Sequence, residues 1–159
     1  MKVNSAMRSL LVGKKFERSL SPGLAEVARQ GFCMSDGCYF LKALFERRGN
    51  AKRGDFPDCV GYECFVNSVH VEDYGGHGSV SQAINFSRQI FEAWSTVGVG
   101  VPLVAIVGAD DLSVVVRFHA KHPDQNWIEG GVESYDDPLM YFESTDEVMN
   151  ELEDFFIKD

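Results

Sequence analysis

No stretch of the sequence stays apolar for the roughly 20 residues that a bilayer-crossing helix needs, which excludes a chain anchored by such a helix. Near the start, Asn4, Ser5, Arg8 and Ser9 interrupt the apolar residues that follow Lys2, so the continuous apolar region of a secretory leader is missing and a cytoplasmic protein is expected. Cysteine is sparse, four in 159 residues, and a chain of this length buries a core without cross-links. Free thiols in a reducing compartment are therefore expected. The phosphate-loop pattern G-x-x-x-x-G-K-[ST], the dinucleotide pattern G-x-G-x-x-G and the nucleophile elbow G-x-S-x-G are all absent. No catalytic residue and no cofactor follow from the sequence, and a binding protein is expected ahead of an enzyme.

Basic residues are also in short supply, 15 Lys and Arg against 24 Asp and Glu, for a net charge of −9. The deficit is uneven. Residues 1–54 carry 11 basic and 4 acidic side chains, a balance of +7, while residues 55–159 carry 4 and 20, a balance of −16. An acidic body repels nucleic acid and anionic membrane and speeds association with basic proteins. The basic third leaves an anion or RNA contact open; alternatively the two regions neutralise each other across the fold.

The 45% hydrophobic and 12% aromatic content predicts a folded domain, taken as one unit over residues 1–159. Residues 1–58 read as mostly helical. Ser21-Pro22-Gly23 opens a helix that Gly31 stops. A second helix is expected after Ser35, with Phe40, Leu41, Leu44 and Phe45 on one face and Gly49 ending it. From residue 59 the order reads β-α-β-β-β-α. Tyr62 to Val71 is expected as a strand, with Phe65, Val69 and Val71 at even spacing. Ser79 and Gln82 form a capping box, after which Val80, Ala83, Ile84, Ser87, Ile90, Phe91 and Trp94 trace a helix face. Val101 to Gly108 is apolar on both alternations, as a central strand requires. Ala109-Asp110-Asp111 turns the chain into a strand with Val115, Arg117 and His119 on one side. Leu139 to Phe142 is a short strand, and Ser144 with Glu147 caps a last helix bearing Val148, Leu152, Phe155 and Phe156. The class is α+β: a mixed sheet with helices packed on it, preceded by a short-helix region, and the first two core strands run parallel if they share the sheet.

Four candidate sites carry chemistry. Cys33, Cys38, Cys59 and Cys64 form two equally spaced pairs that could hold tetrahedral zinc, although a four-residue gap is not the usual knuckle and a buried thiol also packs as a small hydrophobe. His70, Glu72, Asp73 and His77, with His119 and His122 beyond the hairpin, offer imidazole and carboxylate ligands or a general base. The enzyme alternative is thus a small metal-assisted hydrolase using His70, His77 and His119. Gly75-Gly76-His77-Gly78-Ser79 precedes a helix start and suits either an anion or a flexible connection.

The fourth is the segment 121–137. It gathers Asp124, Glu129, Glu133, Asp136 and Asp137 around Trp127 and Tyr135, and with Asp110 and Asp111 it makes an acidic, aromatic face of the kind protein interfaces concentrate. The competing reading pins Trp127 and Ile128 to the core and leaves the acids solvated.

A short, acidic α/β-type domain without catalytic apparatus and with such a loop resembles the bacterial immunity proteins of polymorphic-toxin and contact-dependent growth inhibition systems. The resemblance is of type, covering the layout from about Gly61 onward. It implies one-to-one binding to a basic toxin domain, such as a nuclease, whose active site or substrate face is covered. A non-catalytic regulatory or scaffold subunit is the remaining alternative.

Overall fold

The structure is a computed structural model that describes residues 1–75, 78–147, 151–152 and 155–156. In chain order it has strand β1 (Lys2–Val3), helices α1 (Ser5–Leu11) and α2 (Pro22–Arg29), strands β2 (Phe32–Ser35) and β3 (Cys38–Leu41), and the single turn α3 (Lys42–Phe45). These lead into α4 (Cys59–Val66), β4 (Ser68–His70), α5 (Val80–Ser95), β5 (Leu103–Ala109), β6 (Val114–Ala120) and β7 (Leu139–Glu143). The class is α+β, with one five-stranded sheet in the order β1-β7-β5-β6-β4 and a separate β2-β3 hairpin. No described helix is long and apolar enough to cross a membrane.

β5 lies at the centre of its sheet, as its two apolar alternations imply. Each adjacent pair is antiparallel. β4 and β5 run in the same direction, with β6 hydrogen-bonded between them. Residues opposite one another share a face, so Val69, Val116, Val107, Met140 and Val3 form one continuous inner row across all five strands. α5 packs on this inner face: Phe86 meets Phe118 edge-on at 5.6 Å and Phe91 meets Phe142 at 5.7 Å. The stripe expected on α5 is buried apart from the partly exposed Phe91. Its first turns are buried all round, because Ser81, Gln82 and Asn85 turn toward residues 17–21. Gln82 accepts from the Ser21 amide and donates to the Ser19 carbonyl, and Asn85 donates to the Glu17 carbonyl. The core is continuous from Val3 to Phe156.

Five expectations are corrected. The helix after Ser35 is instead the β2-β3 hairpin, because Asp36 (φ 52°) and Gly37 (φ 75°) both adopt the left-handed conformation of a two-residue hairpin turn. Phe40 and Leu41 then belong to a strand and only Leu44 and Phe45 to a helical turn. The strand expected over 62–71 is mostly α4, started by Asp58, whose carboxylate accepts from the Gly61 amide at 2.7 Å. Only 68–70 is strand, and Phe65 stays 58% exposed on the helix. The thiols are not all free: Cys38 on β3 and Cys59 at the start of α4 form a disulfide, which ties the hairpin to the helix. The N-terminal region also contributes β1 to the main sheet, so it is less purely helical than expected. At the other end Ser144 sits in a turn and accepts from the Leu103 amide instead of capping the last helix; residues 151–152 are helical, Leu152 and Phe156 are buried, and Val148 lies outside the described residues.

Candidate functional site

With α5 covering one face of the sheet, the residues of the other face are set by register. Ile106 of β5 lies opposite Arg117 and Tyr141, with Ser68 beyond Arg117 and Lys2 beyond Tyr141. His119, Val104 and Glu143 form the row on one side of it, and His70, Val115, Gly108 and Leu139 the row on the other. This outer face therefore mixes apolar centres with basic and imidazole side chains. The 121–138 segment folds across it, where Val132 and Ile128 join Val104, Ile106, Leu139 and Tyr141 in a second, small hydrophobic cluster.

The segment is anchored by Asn4, a buried side chain that works at both ends. Its Oδ1 caps α1 through the Met7 amide at 2.9 Å and accepts from the Leu139 amide at 3.0 Å. Its Nδ2 donates to the carbonyls of Tyr135 and Asp137 at 3.1 and 2.8 Å.

Between segment and sheet runs a groove of about 270 Å³. Gly108, Val115 and Ile128 give it an apolar floor, and Asp110, Asp137, Trp127 and Tyr135 stand among its walls. Trp127 is 39% and Tyr135 38% exposed, and the Arg117 guanidinium lies 5.7 Å over the Trp127 ring. Four of the nine residues assigned to the acidic face thus meet at one concavity. Ile128 pins the loop to the sheet, whereas Trp127 stays accessible.

The other five are distributed differently. Asp111, Asp124, Glu129 and Asp136 are exposed carboxylates outside the groove lining. Glu133 is engaged within the chain, accepting from the backbone amide and hydroxyl of Ser5 at 3.1 Å each. Asp110 spends one oxygen on the amides of Leu112 and Ser113, which closes the β5-β6 turn.

Among the described residues the histidine cluster is not assembled. His70 pairs with Val115 and His119 sits four residues further along β6, a separation of about 13 Å at strand rise. His77 lies outside the described residues. His70 Nδ1 approaches Ser113 Oγ at 2.9 Å, and Ser113 also bonds Glu72. Burial pushes the Glu72 carboxyl up, but hydrogen bonds from Ser113 and Val114 and the His70 charge bring it below its usual range. Ser113 therefore gives its proton to a carboxylate rather than to a base, and the trio straps the hairpin to the 3-10 turn at 71–74.

Among the described residues, the group of cysteine, histidine and acid side chains close enough to share a metal is Cys38, Cys59 and Glu63, and both thiols are spent in the disulfide. Cys33 is half-buried on β2 and Cys64 is buried in α4, with its thiol pushed strongly up by burial. Four-thiolate zinc is excluded by this pairing.

Sequence reasoning missed a buried polar stitch between the two sheets. Glu63 of α4 is fully buried and accepts from the Tyr39 and Ala120 amides at 2.9 and 2.7 Å and from His122 Nε2 at 2.7 Å. Burial raises its pKa despite these bonds. One turn on, Asn67 accepts from the Leu41 amide and donates to the Tyr39 and Phe118 carbonyls. The i, i+4 spacing of Glu63 and Asn67 was legible only once that segment is read as a helix.

No curated protein and no solved structure matches the chain. A family model does match, over residues 2–154, which is nearly the whole length. The chain belongs to the Uncharacterized protein PM0498 family.

Proposed function

We propose that the chain is a stoichiometric binding protein, an immunity protein that covers the active site or substrate face of a basic toxin domain. The observation that carries this reading is the groove beneath Trp127 and Tyr135, two accessible aromatic rings beside Asp110 and Asp137 on an otherwise acidic segment. Aromatic anchors beside a concavity supply affinity, and surrounding carboxylates supply rate and selectivity for a cationic surface. The net charge of −16 over residues 55–159 extends the same field beyond the groove. The resemblance of type to immunity proteins supplies the toxin as partner; the acidic aromatic face supplies its basic character.

The cytoplasmic placement belongs to this reading and stands against the Cys38–Cys59 disulfide, since reducing compartments disfavour such bonds. Thiol quantification on protein quenched directly from its host decides between them.

The test is affinity capture from the native host at low and high salt, followed by a growth assay in which the captured protein is expressed with and without this chain. A near-stoichiometric basic protein whose toxicity this chain abolishes supports the reading. A captured protein without toxicity, or toxicity that persists, overturns it.

A further inference from the structure

His119 is 3% exposed, and its Nδ1 lies 2.8 Å from the Ala120 carbonyl oxygen. A carbonyl only accepts, so Nδ1 carries the proton and Nε2 of the neutral ring presents a lone pair. That Nε2 is buried and has no hydrogen-bond partner among the described residues. Buried acceptors left without a donor are rare in folded proteins and call for an explanation.

Two cavities meet at this ring. One, of about 270 Å³, is walled by Lys2, Trp127 and Ile128; the other, of about 390 Å³, by Pro102, Lys121 and Pro123. His119, Asn126 and Tyr141 line both. Asn126 is exposed and its side chain makes no hydrogen bond to a described residue, so no such bond fixes it between the two spaces. The Lys2 ammonium lies 5.6 Å over the Tyr141 ring and forms no ion pair with a described residue. Lys121 is already paired with Glu143 at 2.8 Å, and the Tyr141 hydroxyl donates to the same carboxylate.

We propose that this pocket binds a small organic acid bearing a hydroxyl or N–H group. The donor meets His119 Nε2, the carboxylate meets Lys2, and an apolar body lies against Trp127 and Ile128. A metal ion suits the site poorly, because a lysine stands in its wall and, among the described residues, His119 belongs to no group of three or more side chains close enough to share an ion. One ammonium matches a single carboxylate better than a phosphate dianion.

The probe is 4-hydroxyphenylacetate, titrated into the full-length protein labelled with 15N-histidine. A saturable shift of one imidazole Nε2 resonance is expected, assigned by its loss in His119→Phe, with His119→Gln as a second variant should the first fail to fold. Replacing the donor (4-methoxyphenylacetate) or the acid (4-hydroxyphenylethanol) is expected to weaken binding about tenfold each. Lys2→Met is expected to weaken the hydroxy acid by the same factor and to leave the neutral alcohol unchanged. No saturable shift at about 10 mM probe, well into the range of weak fragment binding, overturns the proposal. So does equal binding of the methoxy acid, or indifference of the hydroxy acid to Lys2→Met. These changes leave the carboxylates at Asp110 and Asp137 intact, so their failure and the failure of partner capture are separate results.

Discussion

Replacing Asn4 by alanine removes four hydrogen bonds that hold the acidic segment to the sheet: those from the Met7 and Leu139 amides and those to the Tyr135 and Asp137 carbonyls. Loss of the α1 cap costs about 1 kcal/mol. Each of the other three bonds leaves a shielded backbone group unpaired, at about 1 kcal/mol net where water partly compensates. The sum is about 4 kcal/mol, a large share of the roughly 5–15 kcal/mol that holds a domain folded. Asn4→Ser retains the cap alone and should fall between wild type and alanine. Asn4→Asp keeps both acceptor bonds but turns a carboxylate toward two carbonyl oxygens, so it should lose at least as much as alanine. Guanidinium unfolding followed by circular dichroism gives the global loss, and Trp fluorescence reports on the surroundings of Trp127, with Trp94 as the second emitter. A loss below about 1 kcal/mol for alanine, equal to that of serine, would show that the side chain does no more than cap a helix.

Other outcomes follow from the same contacts. Breaking the Cys38–Cys59 bond, which closes a separation of 21 residues, by Cys38→Ser or reduction should cost about 3 kcal/mol in denaturant unfolding; four reactive thiols in the native protein would contradict the pairing. Gly23→Ala places a methyl group against the Tyr74 carbonyl, so a loss of about 1–3 kcal/mol is expected, and an unchanged melting temperature would refute the close approach. Burial holds the His119 pKa below its usual value. The unfolded chain then takes up a proton that the folded state refuses, so the stability from His119 is present above about pH 6.5 and lost as the pH falls through its folded value. Glu63 has the opposite sign, its raised pKa giving stability that is present below about pH 4.3 and lost as the pH rises through its folded value. Stability measured against pH for His119→Phe and Glu63→Gln, each minus wild type, should slope in opposite directions; parallel slopes would refute the assignment.

Elements with strong local signals were legible in the sequence. Ser21-Pro22 and Ser79 begin helices as their capping chemistry requires. The doubly apolar 101–108 run is central, and Val115, Arg117 and His119 share the outer face. Misreadings arose where apolar spacing outweighed turn chemistry. Phe40, Leu41, Leu44 and Phe45 fit a helical stripe, yet Asp36-Gly37 supplies two left-handed residues that fix a hairpin. Phe65, Val69 and Val71 fit an even period, yet Asp58 caps a helix through the first of them. At the site, composition singled out nine residues, and which four of them, Asp110, Trp127, Tyr135 and Asp137, line one groove depended on how the loop folds over the sheet. The role of Asn4 did not, because its partners lie more than 130 residues away. Nor did His119 stand out, since its missing partner becomes visible only when the loop lies over the sheet.

Docking of a basic partner on the face around Asp110, Trp127, Tyr135 and Asp137 is best examined by association kinetics. The protein captured from the host is to be measured against wild type and against Asp136→Lys with Asp137→Lys, from low to high ionic strength. Slower association is expected for the double variant, with a much flatter dependence on salt and an unchanged fold by circular dichroism. Association rates and salt dependence indistinguishable from wild type would contradict it.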